Sequence, residues 1–141
     1  MNSNSPSFSE KTSKIAEYLV ECAKKGKPYG VQSYGDVCEA IKERHGDSHS
    51  HRPQGLSRYL DAINKISYPR ASVLLSVLVI NKRKKRPGDG FFPLAAELRQ
   101  ETHLSNPKLW KGFFNEECER VYKAARARKL DSLLTVNNFH N

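Results

Sequence analysis

Residues 72–90 read SVLLSVLVINKRKKRPGDG, where an apolar segment is followed, after Asn81, by five consecutive basic residues and then a turn. The segment from Ser72 to Ile80 is rich in β-branched and aliphatic residues and is bounded by turn residues, which is typical of a buried strand. The basic run from Lys82 to Arg86 precedes Pro87 and Gly88, so we expect it at the tip of a hairpin. Five like charges repel one another and are tolerated where water or a polyanion screens them. A solvated loop is the alternative interpretation.

Three helical patterns precede this stretch. We expect a first helix from near Ser9, which can accept a hydrogen bond from the free N–H groups at the helix start, to Gly26. A short extended segment, Tyr29 to Gln32, leads to a second helix that is capped by Ser33 and ends at Gly46. A third helix is expected from about Pro53 to Asn64, because apolar residues recur there at helical spacing.

Further helices are expected after the turn. Phe91 and Phe92 should return the chain to the core, ahead of a short helix from Pro93 to about Thr102. A last helix is expected over about residues 107–129, where large apolar residues line one side.

This order of elements predicts the fold class. We expect a mainly α protein with a small β element (α+β): a winged helix-turn-helix core with additional C-terminal helices. Residues 1–9 should form a flexible tail, and residues 10–141 a single domain. In the winged-helix plan the third helix enters the major groove of DNA and the wing contacts the backbone.

Composition narrows the class of partner. The chain has 141 residues and a formal net charge of +9, from 24 basic and 15 acidic side chains. Such a surplus predicts an anionic partner, most often nucleic acid.

The apolar run over residues 71–80 is far shorter than the roughly 20 residues that cross a bilayer, and the first nine residues lack a secretory pattern. The three cysteines are widely spaced, so we expect free core thiols in a cytoplasmic protein.

The candidate DNA-contacting residues come from three segments. The start of the second helix offers backbone N–H groups and hydroxyls to a phosphate. The start of the third helix carries arginine, glutamine and serine, which pair with base edges or phosphates. The basic run would neutralise phosphates and make the affinity depend steeply on salt. The full set is Ser33, Tyr34, Arg52, Gln54, Ser57, Arg58, Lys82, Arg83, Lys84, Lys85 and Arg86.

Two further polar groups have competing interpretations. A second basic cluster closes the last helix, where the helix dipole explains cations as well as binding does; it comprises Arg120, Lys123, Arg126, Arg128 and Lys129. His45, His49 and His51 are close enough in sequence to hold a metal, but they lack regular ligand spacing. Nucleotide-binding and esterase motifs do not occur. We therefore expect no cofactor, no metal and no catalytic activity.

From Val31 to Phe92 the chain resembles the DNA-binding C-terminal domain of the alkylguanine-DNA alkyltransferases and their alkyltransferase-like relatives. Ser33–Val37 is similar to the Thr-Tyr-Gly entry of that family's first recognition-motif helix. His51–Gly55 is similar to the Ala-Arg-Ala-Val-Gly that opens its recognition helix. Leu75–Ile80 falls where the family has Pro-Cys-His-Arg-Val-Val.

The resemblance implies roles for two residues and excludes one reaction. Arg52 would fill the gap left by a flipped base, and Tyr34 would press on the adjacent phosphate, with the helix approaching from the minor groove. Ser76 stands at the position of the nucleophilic cysteine, and the following histidine and arginine are also replaced. Because an alkyl-accepting thiolate needs a pKa lowered by a neighbouring base, we expect no alkyl transfer.

The sequence thus predicts a non-enzymatic protein that binds double-stranded DNA as a regulator, an architectural protein or a lesion sensor. Two alternatives remain open. One is a protein-interaction module, of inhibitor or immunity type, with an acidic partner. The other is a metal-dependent nuclease built on the histidines. Basic charge alone does not distinguish DNA from RNA.

Overall fold

The computed structural model describes residues 6–49 and 52–134, which are mainly helical with one small sheet. The helices are α1 (Phe8–Lys25), α2 (Tyr34–His45), α3 (Ser57–Ala71), α4 (Phe91–Arg99) and α5 (Trp110–Arg126). The strands β1 (Gln32–Ser33) and β2 (Val79–Ile80) pair in parallel, with Gln32 opposite Val79. The fold is therefore mostly α with a small β element, as predicted.

The start of α1 differs from the prediction. Ser7 is its N-cap: the Ser7 side chain accepts a hydrogen bond from the Glu10 backbone N–H, and the Glu10 carboxylate accepts one from the Ser7 N–H. The predicted cap Ser9 lies inside the helix, because Ser7 has the carboxylate partner three residues on that completes a capping box. The boundary of the predicted tail at residue 9 is therefore wrong, and residues 1–5 of that tail lie outside the described residues.

The second helix forms as predicted. Ser33 and Asp36 make the same reciprocal pair of hydrogen bonds at its start. Gly46 ends it with φ +88°, in the left-handed region that favours glycine. The extended segment before it is shorter than predicted, since only Gln32–Ser33 is a strand.

The third helix begins later and ends later than predicted. A short 3-10 turn occupies Pro53–Gly55, and α3 itself continues through Pro69 to Ala71. Its predicted inner face is buried as expected. The helix continues past Asn64 because Asn64 and Ser67 are also buried and bond the next segment of chain, which makes the additional turns part of the core.

The apolar segment from Ser72 to Ile80 is buried across residues 73–79, yet it is not a strand along its length. Leu75–Leu78 form a 3-10 helix, and only Val79–Ile80 pair with β1. In the described part of the chain, the sole antiparallel pairing at the basic run is a single bridge between Asn81 and Arg86. The long strand leading into a hairpin was therefore a wrong prediction.

Side chains of neighbouring helices explain this conformation, because they bind backbone groups that a sheet would otherwise pair. Three consecutive N–H groups are each bound by a side chain: Leu74 N–H by Glu117 at 2.8 Å, Leu75 N–H by Ser67 at 3.2 Å and Ser76 N–H by Asn64 at 3.0 Å. Ser67 also donates to the Val73 carbonyl at 2.7 Å. Buried backbone groups need partners, and these partners do not require extended backbone.

The remaining helices differ at their ends. The fourth helix begins at Phe91, two residues before the predicted Pro93, and ends at Arg99. Phe92 stacks on Trp110 with ring centroids 4.2 Å apart, which packs α4 against α5. The last helix spans Trp110–Arg126, inside the predicted range of 107–129, because residues 107–109 form a 3-10 turn and Arg128 has φ +61°.

One hydrophobic core joins these elements, and Ile15 and Leu19 of α1 are fully buried in it. Cys22, Cys38 and Cys118 are free and buried, as predicted. Within the two described ranges, no helix is both long enough and apolar enough to cross a membrane.

Candidate nucleic-acid interface

A hydrogen bond between Tyr34 and Gly88 lies at the centre of the candidate interface. The Gly88 backbone N–H donates to the Tyr34 hydroxyl oxygen over 3.0 Å, which ties the start of α2 to the turn that follows the basic run. A Cβ atom at Gly88 would lie 2.7 Å from that oxygen, so a side chain at this position would have to displace the tyrosine hydroxyl. Burial raises the pKa of Tyr34, which keeps the phenol neutral. The hydroxyl therefore retains its own proton to donate to an anion.

Beside this bond lies a cavity of about 170 Å³. Its walls come from α2, from α3, from the 3-10 helix at residues 75–78 and from residues 87–91. The lining residues include Tyr34, Ser57, Asp61, Ser76, Gly88 and Phe91. Two predicted contact residues, Tyr34 and Ser57, thus share a cavity with residues that were not in the predicted set, among them Asp61, Gly88 and Phe91.

Ser76 in the cavity wall is held by Asn64. The Asn64 side-chain amide donates to the Ser76 hydroxyl over 2.7 Å, and the Ser76 backbone N–H donates to the Asn64 carbonyl oxygen over 3.0 Å. An amide is not a general base, so this partner does not activate the hydroxyl as a nucleophile. The absence of catalytic activity stays a prediction.

Asp61 gives the cavity a hydrogen-bond acceptor. Partial burial raises the pKa of its carboxyl, and the cation of Lys65 opposes that shift. Asp61 also raises the pKa of Tyr34 through its charge, and both residues line the cavity. An ionised carboxylate only accepts hydrogen bonds, so the cavity suits a ligand that presents N–H donors.

A wider groove of about 640 Å³ adjoins the start of α3. Its lining contains Arg52, Gln54 and Arg58, all of which are exposed, as direct contact with a ligand requires. Gly55 also lines the groove, and a Cβ atom there would meet no atom within 4 Å. No approach of the described chain therefore accounts for glycine at position 55.

An aromatic pair positions Arg58. The rings of Phe8 and Tyr59 stack with centroids 4.7 Å apart, and the Arg58 guanidinium lies 5.0 Å from the first and 5.2 Å from the second. Phe8 was not predicted to belong to the site, since its position in sequence is far from α3. Its exposed fraction of 41 % is high for a large apolar side chain in this protein.

The basic turn divides into paired and unpaired side chains. Lys84 and Arg86 lie 3.3 Å and 3.5 Å from Asp89, which lines the cavity. The Arg86 guanidinium also lies 5.0 Å from the Trp110 ring, so it is committed to packing. Lys82, Arg83 and Lys85 are exposed and form no ion pair within residues 6–49 and 52–134, and we call them the free cations of the turn.

Asn81 fixes the shape of this turn. Its side-chain oxygen accepts hydrogen bonds from the backbone N–H groups of Arg83 and Lys84, at 3.0 Å and 3.1 Å. Lys85 adopts φ +59°, which reverses the chain. The free cations are therefore presented from a defined turn. Ser33, by contrast, uses its hydroxyl to cap α2.

The histidines do not form a metal site in the described residues. The rings of His45 and His49 have centroids 5.3 Å apart, and burial lowers the pKa of His45. No group of three potential metal ligands occurs among residues 6–49 and 52–134. The third histidine, His51, lies outside the described residues.

Comparison of the chain with protein-family models, with curated proteins and with solved structures found no match. The resemblance to the alkyltransferase domain thus stays a prediction from the residues that carry it. Of those residues, Tyr34 and Ser76 line one cavity and Arg52 lines the adjoining groove.

Proposed function

We propose that this protein binds double-stranded DNA, without catalysing a reaction on it, through a surface that we call the α3 face. The α3 face comprises Tyr34, Arg52, Gln54, Ser57, Arg58, Lys82, Arg83 and Lys85. One observation carries the proposal: Tyr34, Ser57 and Gly88, from three segments that are distant in sequence, line one cavity beside the bond between Tyr34 and Gly88. The exposed residues at the start of α3 line a separate groove.

Charge supports a phosphate backbone as the ligand. Lys82, Arg83 and Lys85 are exposed side chains with no carboxylate partner in the described chain, and each can neutralise one phosphate. Each neutralised phosphate contributes about −0.9 to the slope of log affinity against log salt. Three such contacts would contribute about −2.7, a change that a salt titration resolves.

Shape supports a helix-turn-helix arrangement. In the proposal, α2 and α3 are the two helices of the motif, and the turn from Asn81 to Arg86 serves as a short wing against the backbone. Arg52 and Gln54 stand exposed before the first turn of α3, where arginine can contact guanine and glutamine can contact adenine. Open space at Gly55 leaves room for the backbone of the DNA to approach.

The cavity extends the proposal to sensing of a damaged or unpaired base. Enzymes and sensors that read a flipped base stack it on aromatic side chains and bond its pairing edge. Tyr34 and Phe91 offer rings at the cavity, and Asp61 offers an acceptor for base N–H groups. In this arrangement Arg52 fills the gap in the duplex, as the resemblance implies.

Fluorescence anisotropy at several salt concentrations tests the proposal. The ligands are duplex DNA, single-stranded DNA, duplex RNA and a duplex that contains one alkylated guanine. We compare the wild-type protein with a turn variant (K82A/R83A/K85A) and with a control variant that loses three exposed lysines elsewhere (K25A/K42A/K108A).

We expect wild-type protein to bind duplex DNA, with a salt slope about 2.7 steeper than that of the turn variant. The turn variant should bind all sequences more weakly by a similar factor, because phosphate contacts carry no sequence information. Equal affinities of the turn variant and the control variant would refute the role of the turn. No binding of the wild type to any nucleic acid, together with stoichiometric capture of one acidic protein, would favour the protein-interaction alternative.

A further inference from the structure

We infer that the opposite end of α3 carries a second polyanion-binding surface, and that the protein bridges two segments of duplex DNA. This inference rests on the proposed function. The second surface, which we call the α5 groove, comprises Ser72, Arg99, Arg120, Lys123 and Lys129. It contains most of the basic cluster at the end of the last helix, which the α3 face does not use.

The α5 groove is an open depression of about 330 Å³ where the ends of three helices meet. Ser72, exposed and in the left-handed conformation with φ +59°, lies at its edge. Lys123 comes from the last turn of α5, and Lys129 from the chain just after that helix. The groove thus offers a hydroxyl and ammonium groups to a ligand.

One wall of the groove is rigid because Glu117 holds it. Glu117 is fully buried, and its carboxylate accepts hydrogen bonds from Arg99 at 2.9 Å and from Arg120 at 2.8 Å. Arg99 also donates to the Ser72 carbonyl at 2.6 Å. Two guanidinium groups share this one buried carboxylate, and Arg120 also lies 4.0 Å from the exposed Glu116.

The outer cations are free of carboxylates. Lys123 and Lys129 are exposed and form no ion pair within the described ranges, whereas the neighbouring Arg128 lies 3.4 Å from Asp131. The dipole of α5 stabilises cations in its own last turn. It does not account for Lys129, which follows the helix. Convergence of cations from several chain segments is instead what a phosphate backbone would contact.

The two surfaces lie at opposite ends of one helix. Ser57, the first residue of α3, lines the cavity of the α3 face, and Ala71, the last, lines the α5 groove. Fifteen helical residues at 1.5 Å each separate the two ends by about 22 Å. A duplex that receives the N-terminal end of α3 therefore leaves the α5 groove accessible to a second duplex.

A capture experiment tests bridging. A biotinylated 30-base-pair duplex on beads is saturated with full-length protein and washed, and a fluorescent duplex of different sequence is then added. The variants are the groove variant (K123A/K129A), the turn variant and the control variant defined above. Anisotropy with one duplex and thermal unfolding are measured for each, so that loss of fold is separated from loss of a contact.

We expect wild-type protein and the control variant to capture the fluorescent duplex. The groove variant should bind one duplex within about twofold of the wild type but capture at least tenfold less of the second. Binding without capture by the wild type would overturn bridging alone, whereas no binding to the beads would refute the proposed function. Undiminished capture by the groove variant, or an equal loss of both activities, would also overturn bridging.

Discussion

Replacement of Glu117 by alanine tests how the buried segment before β2 is held. In the wild type the Glu117 carboxylate has no exposed surface, and it accepts hydrogen bonds from the Leu74 backbone N–H at 2.8 Å and from Arg99 and Arg120. Glu117→Ala leaves the Leu74 N–H without a partner and Arg99, whose side chain is 12 % exposed, without its counter-ion. Both groups lie where water cannot readily replace the carboxylate.

The loss in stability is large because a buried charge is left uncompensated. Removal of one partner of a buried ion pair costs about 3–5 kcal/mol, out of about 5–15 kcal/mol for a typical domain. For a chain of this length each kcal/mol lowers Tm by roughly 3–4 °C. We therefore expect the Tm of Glu117→Ala to fall by roughly 10–20 °C.

Thermal and urea unfolding followed by circular dichroism measure this loss. Glu116→Ala is the matched control, since Glu116 is the preceding residue, is 69 % exposed and lies 4.0 Å from Arg120. An exposed ion pair contributes about 0.2–1 kcal/mol, so the control should change Tm by a few degrees at most. A Tm of Glu117→Ala within 3 °C of that of Glu116→Ala (a difference of about 1 kcal/mol) would refute the conclusion that the Glu117 carboxylate stabilises the buried segment before β2.

Three further outcomes are expected. Gly88→Ala should destabilise the fold by about 1–3 kcal/mol and weaken DNA binding, because its Cβ would lie 2.7 Å from the Tyr34 oxygen. The double variant with Tyr34→Phe, which lacks that oxygen, should recover the Tm. A double variant as unstable as Gly88→Ala would contradict the steric clash. Cys118 should resist a thiol reagent at pH 8 until the protein unfolds, because burial raises its pKa to about 12; fast labelling of the native protein would contradict this. Asp61→Asn should raise Tm at pH 7 but not at pH 3: a carboxyl whose pKa is raised on folding contributes stability at low pH that is lost as pH rises through that pKa. Equal changes at both pH values would exclude this cause.

Local sequence patterns predicted the elements whose determinants are local. Ser33 and Asp36 cap α2 because both members of the box lie within four residues, and Gly46 ends the helix through its own φ. The segment from Ser72 to Ile80 was different. Its apolar composition reported burial correctly, but its conformation depends on Glu117, which is 43 residues from Leu74 in sequence. The composition of the segment itself does not show that Glu117 binds its backbone.

The candidate site likewise has one part that the sequence predicted and one part that it did not. Exposure of Arg52, Gln54 and the basic turn followed from charge and periodicity. The cavity did not, since it depends on contact between Tyr34 and Gly88, which are 54 residues apart. Arg86 belonged to the predicted set by charge alone, yet its guanidinium lies over the ring of Trp110, which is 24 residues away in sequence. Contacts between residues so far apart in sequence depend on how the helices pack, and local sequence patterns do not show that packing.

The residues that hold α3 in the core are separate from the residues proposed to contact DNA. This separation makes the protein a practical scaffold for directed evolution. The residues that anchor the helix, Asn64 and Ser67, are buried in its second half. Arg52, Gln54 and Arg58 are exposed at or before its first turn. A combinatorial library randomised at those exposed positions would leave the anchors untouched, so selection for new DNA sequences would proceed in a population of clones that mostly retain the fold.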